Sequence, residues 1–306
     1  MFGRLERFLS TTFPLSVYGS YAVLWVLGLA GALAVASDSG AHWRLSVRTL
    51  VGVMSVLLVL LFLRMADEQK DLDYDRAHHP RRPLVTGAVS VRDLRLWMAQ
   101  IATLVLLMNA AMGASRAVTI GVDMAYGVFL MALERWSSKV RDGLFLNLLV
   151  TYPVQLGLSI YIYVSFVSDH DEPSGMRGAL LVGMLMLAFL HFELARKTSW
   201  SQPSDERLYS SVVGPTRSAL LASGCAGAAP ALALSVFQPW DCGGVACLTG
   251  WTPLASVIPA GVGAYRFLTR RDRTWARAWA MLFVFLFYAA LTLHGLCGSM
   301  LDISLF

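Results

Sequence analysis

Charged side chains are scarce in this 306-residue chain: Asp, Glu, Lys and Arg make up 15% of it, against a hydrophobic share of 56%. No stretch is polar enough and long enough to form a separate soluble domain. That excludes a soluble enzyme with a large polar surface and reads as a polytopic membrane protein. Cysteines number only four. Cys225 and Cys297 fall in apolar segments and read as small buried thiols. Cys242 and Cys247 sit in a polar connection and can pair if their compartment is oxidising. A metal site there would need two more ligands, and the surrounding sequence offers none. No small-residue cleavage site follows the first apolar stretch, so that stretch is read as a membrane span and not as a signal peptide. The net charge of +5 has no nucleic-acid-binding pattern behind it.

What the chain does have is long apolar segments. Residues 1–14 carry Arg4, Glu6 and Arg7 among Phe2, Leu5, Phe8, Leu9 and Phe13, the pattern of an amphipathic helix on a membrane surface. Nine apolar segments follow, near 16–36, 47–66, 94–114, 117–135, 144–166, 176–195, 217–237, 252–268 and 275–298. At ~1.5 Å per residue each is about long enough to cross a ~30 Å hydrocarbon layer. A tight hairpin is expected at Ser115-Arg116 and a kink at Pro153. The eighth segment, with Pro253, Pro259 and several glycines, is the weakest of the nine as a span. Of the 25 Lys and Arg residues, all but Arg44, Arg48, Arg116 and Arg177 fall on the side of the N-terminus under this assignment. The asymmetry predicts an inside N-terminus and an outside C-terminus.

The richest polar stretch ends the second segment: Asp67-Glu68-Gln69-Lys70-Asp71-Leu72-Asp73-Tyr74-Asp75, then Arg76, His78, His79, Arg81, Arg82 and Pro83. On a continuing helix Asp67, Asp71 and Asp75 recur every four residues and share one face. Three carboxylates on one face repel unless a divalent cation lies among them, and Mg²⁺ favours carboxylates together with substrate phosphates. Lys70, Arg76, Arg81 and Arg82 supply cations for such a phosphate. A second polar stretch ends the sixth segment: Glu193, Arg196, Lys197, Trp200, Pro203, Asp205, Glu206, Arg207 and Tyr209. Glu193 and Lys197 are four apart, so they suit either an intrahelical ion pair or an anion site.

Asp67-x3-Asp71-x3-Asp75 followed by Arg82-Pro83-Leu84-x2-Gly87-Ala88-Val89-Ser90 resembles the first signature of the UbiA superfamily of intramembrane prenyltransferases. The second signature falls where that family has it, and the nine segments agree, so the resemblance covers essentially the whole chain as one membrane domain, 1–306. It implies an all-α fold of nine transmembrane helices around a central cavity. Two departures stand out. The family's first motif usually begins with Asn where this chain has Asp67, and its second is usually two aspartates four apart where this chain has Glu193 and Lys197. A charged Lys cannot ligate Mg²⁺. The pair of motifs is similar to that of a divergent bacterial branch, which implies a bacterial cell membrane with both motifs on the cytoplasmic side.

The resemblance implies chemistry on a prenyl diphosphate in the lipid bilayer. Mg²⁺ held by Asp67, Asp71, Asp75 and Glu193 neutralises the departing diphosphate, which is bound by Lys70, Arg76, Arg81, Arg82, Arg196, Lys197 and Tyr209. Tyr126, Phe129, Trp136, Tyr152, Tyr161 and Phe192 are the aromatic candidates for shielding the allylic cation. Transfer to an acceptor, such as an aromatic ring, is the leading expectation, and cyclisation within the same fold is the alternative. A transporter whose intramembrane acids mark an ion path is the remote third.

Overall fold

The computed structural model describes residues 2–37, 42–170, 175–201 and 208–303. Pro203, Asp205, Glu206 and Arg207 lie outside these. The chain divides into two compact units, Met1–Val26 with Ser46–Ser168, and Leu27–Leu45 with Asp169–Phe306.

In the first unit the short helix α1 (Phe2–Thr12) precedes α2 (Leu15–Ala36), whose first half belongs here. The amphipathic pattern of α1 is used for docking. Phe8 is fully buried with its ring 6.4 Å from that of Trp97, and Arg4 binds Asp93 at 3.0 Å. Next come α3 (Val47–Lys70), α4 (Leu72–His78), α5 (Val91–Ala110), α6 (Ala114–Trp136), α7 (Ser138–Asp142) and α8 (Leu144–His170). Ser46 and Ser90 start α3 and α5 through reciprocal capping boxes with Thr49 and Asp93. Helices α3, α5 and α6 pack against one another.

The turn between α5 and α6 lies upstream of the expected Ser115-Arg116. Gly113 takes φ 147°, a value side-chain-bearing residues avoid, and the Asn109 carbonyl accepts from both Met112 and Gly113. Arg116 is consequently inside α6 and fully buried, donating to the Ser165 carbonyl at 3.1 Å.

The second unit contains the rest of α2, β1 (His42–Leu45), α9 (Met176–Arg196), α10 (Tyr209–Val213), α11 (Pro215–Phe237), α12 (Val245–Gly250), α13 (Val257–Leu268), α14 (Arg277–Gly298) and β2 (Met300–Ile303). Helix α11 packs along α9, and α14 packs on α9, α12 and α13. Strands β1 and β2 pair in parallel. The eighth apolar segment is not one continuous α-helix: a 3₁₀ turn at Thr252–Ser256, with Pro253 in its first turn, joins α12 to α13. Gly31 and Gly295 bring α2 and α14 into backbone contact, because a Cβ on Gly295 would stand 2.5 Å from the Gly31 Cα. Cys242 and Cys247 are disulfide-bonded.

Among the described residues eight helical stretches are long and apolar enough to cross a membrane. A helix occupies each of the nine expected places, and α5 is the one outside the eight, since Arg92, Asp93 and Arg95 fall in its first turns. The fold is all-α and polytopic.

Candidate active site

Helix α3 stops at Lys70 because Asp71 leaves helical geometry at φ −89°, ψ 8°, and α4 restarts at once. The four-residue spacing survives the break: Asp71 N donates to Asp67 O at 2.9 Å and Asp75 N to Asp71 O at 2.8 Å. The three aspartates nevertheless stand in three environments. Asp67 is exposed, Asp71 is half-buried and Asp75 is buried.

The motif downstream of α4 folds back onto them. Pro83, Leu84 and Val89 are buried, Gly87 turns the chain at φ 75°, and Thr86 N donates to Arg82 O at 2.9 Å. The Arg82 guanidinium binds Asp75 at 2.5 Å and Glu68 at 3.1 Å. Glu68 is buried and also receives Arg64. Lys70 turns the other way, to Glu134 at 3.1 Å and Asp67 at 3.5 Å. Glu134, near the end of α6, is buried and accepts from Asn147 Nδ2 at 3.0 Å. Arg76 pairs with Asp73 at 2.8 Å on the surface, and Arg81 is exposed.

Asp71 is the group left over. No hydrogen bond or ion pair holds its carboxylate among the described residues. Burial raises its pKa above the ordinary carboxylate value. Lys70 opposes that rise, while Asp67, Asp75 and Glu134 add to it. A site that disfavours its own carboxylate charge is one that a cation relieves. Among the described residues no three His, Cys, Asp or Glu side chains converge as a ready metal cage. Mg²⁺ does not require one, since it takes one or two carboxylates and completes its shell with water and phosphate oxygens. The hard oxygens of Asp67 and Asp71 fit that requirement.

In the second unit Glu193, near the end of α9, is almost buried and accepts from Arg196 at 2.5 Å and Lys197 at 2.8 Å. Tyr209 donates its hydroxyl to the same carboxylate at 3.4 Å, and the Lys197 ammonium lies 5.3 Å from the Tyr209 ring centroid. Burial and the Glu193 charge push the Tyr209 phenol well above its usual pKa, so it stays a neutral donor. The intrahelical ion pair is therefore present, as half of a larger cluster.

Glu68, Glu134 and Asn147 escape sequence reasoning. Lys70 and Glu134 are 64 residues apart, and such pairing leaves no local pattern. Buried Asp123 escapes it too: it faces Gly157 of α8, where a Cβ would come within 2.1 Å of its carboxylate oxygen. Of the aromatic candidates, Phe129 and Trp136 are exposed, while Tyr161 is buried and donates to Asn109 at 2.7 Å. A cavity of about 450 Å³ lies between α3, α5 and α6, with Gln69 and Arg95 among an otherwise apolar lining.

No protein-family model matches the chain, and no curated protein matches it in sequence. Solved structures do resemble it. A UbiA homologue from Archaeoglobus fulgidus bound to GPP and Mg²⁺ is 13% identical, with a TM-score of 0.62 over 95% of this chain and 99% of that one. A UbiA homologue from Aeropyrum pernix K1 without ligand is 16% identical, with a TM-score of 0.60 over 86% of this chain and 94% of that one. The structure of a digeranylgeranylglyceryl phosphate synthase is 12% identical, with a TM-score of 0.60 over 97% of this chain and 99% of that one. The chain thus has the fold of the UbiA homologues.

Proposed function

We propose that the chain is a UbiA-superfamily intramembrane enzyme that ionises a prenyl diphosphate with the help of Mg²⁺ and transfers the prenyl group to an acceptor. The observation that carries this reading is Asp71. It is a half-buried carboxylate at a helix break, beside Asp67 and Asp75, with no counter-ion bonded to it. The fold shared with a homologue bound to GPP and Mg²⁺ supports the choice of ligand.

In this reading Asp67 and Asp71 would hold the metal, which would supply positive charge beside the leaving diphosphate. Asp75 and Glu68 hold Arg82 in place, and Glu134 holds Lys70, so that cations stand ready beside the acids without reorganising. Asp75 is already bonded to Arg82, and Glu193 to Arg196 and Lys197, so a metal at either carboxylate would compete with those cations. Glu193 therefore orients two phosphate-binding cations. Arg76 and Arg81, at the surface, are peripheral phosphate contacts.

Purified protein incubated with Mg²⁺ and a panel of prenyl diphosphates, with and without aromatic acceptors, tests the proposal. Acceptor-dependent release of pyrophosphate supports transfer. A cyclic hydrocarbon or alcohol formed without acceptor selects the cyclase instead, and no Mg²⁺-dependent release from any donor overturns the reading.

A further inference from the structure

The ring of Phe192, next to Glu193 on α9, carries two guanidinium groups. Arg196 Cζ and Arg277 Cζ each lie 5.8 Å from its centroid. Arg277 is far off in sequence and reaches this ring because the end of α9 is stitched to the segment before α14. Trp200 N donates to Arg273 O at 2.8 Å, Trp275 N donates to Thr198 O at 3.0 Å, and Ser199 bridges Thr274. Three cations, Arg196, Lys197 and Arg277, thus gather at the end of α9. Glu193 binds the first two, and among the described residues no carboxylate pairs with Arg277, which is exposed.

Its neighbours in the same connection are disposed differently. Arg266 is neutralised by Asp272 at 2.8 Å, Arg270 lies 4.6 Å from the Trp200 ring centroid, and Arg271 lies 5.1 Å from that of Tyr265. Two like charges held beside one aromatic ring repel each other. Placing them there is favourable when a polyanion lies among them, and guanidinium groups bind phosphate oxygens in pairs.

We infer that Arg277 is a phosphate-binding residue that forms, with Arg196 and Lys197, a cationic cradle for a diphosphate at the end of α9. That the diphosphate belongs to a prenyl substrate rests on the function proposed above; that the cradle selects a polyphosphate rests on its own charges.

The full chain in nanodiscs of zwitterionic lipid, titrated with inorganic pyrophosphate, tests this. Wild type is expected to bind, Arg277→Ala to weaken binding by about tenfold, the loss of one charge-assisted contact, and Arg277→Lys to recover part of it. Arg270→Ala serves as the control and should bind as wild type. Arg277→Gln and a thermal midpoint equal to wild type guard against a folding effect. No binding by wild type, unchanged binding by both neutral Arg277 variants, or an equal loss in Arg270→Ala overturns the inference. So does an Arg277 effect seen only as lost retention of anionic lipid, since the phosphate would then be a headgroup. Arg277-dependent pyrophosphate binding without turnover of any prenyl diphosphate defeats the proposed function and leaves the cradle standing. Normal turnover with unchanged pyrophosphate binding in the Arg277 variants does the reverse.

Discussion

Asp71, the carboxylate proposed to hold the metal, works against the fold that carries it. Burial raises its pKa, so the folded chain binds a proton at Asp71 more readily than the unfolded chain does. Stability contributed by this residue therefore falls as pH rises from the ordinary carboxylate value to the raised one, and the full penalty applies above that window. Asp71→Asn removes the charge at nearly constant size. Its denaturation midpoint at neutral pH should exceed wild type, with less decline across that pH window, while turnover falls about 10²-fold or more. A midpoint below wild type would show that the ionised carboxylate is stabilising. The site was legible in sequence as far as local spacing could carry it. Asp67, Asp71 and Asp75 announce themselves at four-residue intervals, and Arg82 by the Pro83 and Gly87 that fold its loop. The burial of Glu68 and the partnership of Lys70 with Glu134 come from packing between distant helices, which no local interval encodes.

Between elements, close approach is bought with glycine. Gly157 of α8 leaves just the room that Asp123 of α6 fills, so Gly157→Ala should unsettle the pair by about 1–3 kcal/mol, the usual cost of overpacking. Adding Asp123→Ala should restore most of it, a coupling that a double-mutant cycle of denaturation midpoints measures. Additive losses would show that the two residues do not share one space. At the crossing of α2 and α14 the Cβ added by Gly295→Ala meets backbone, which cannot rotate away, and a lower thermal midpoint is expected. Apolar periodicity located these helices well, since length and hydropathy are local properties. It misplaced the α5–α6 turn because the positive φ of Gly113 is stronger punctuation than the polar pair Ser115-Arg116. The buried Arg116 could pass for a loop charge only because its partner, the Ser165 carbonyl, is 49 residues away.

At the scale of the whole molecule, the lopsided distribution of Lys and Arg predicts that the Gly87 connection is cytoplasmic and the Cys247 connection external. Reporters fused after each residue should label accordingly, and the bonded Cys242 and Cys247 suit an oxidising outer compartment. The reverse labelling would invert the orientation. Two motif clusters, one per compact unit, carry the chemistry proposed for the chain: in the first the Asp71 carboxylate has no bonded counter-ion among the described residues, and in the second the cations outnumber their carboxylate. The most direct test is pyrophosphate release from a prenyl diphosphate by the purified full chain, followed with Mg²⁺, with a chelator, and in Asp71→Asn. The account predicts release that requires Mg²⁺ and falls about 10²-fold in the variant. Equal release in chelator, or full activity in Asp71→Asn, would contradict it.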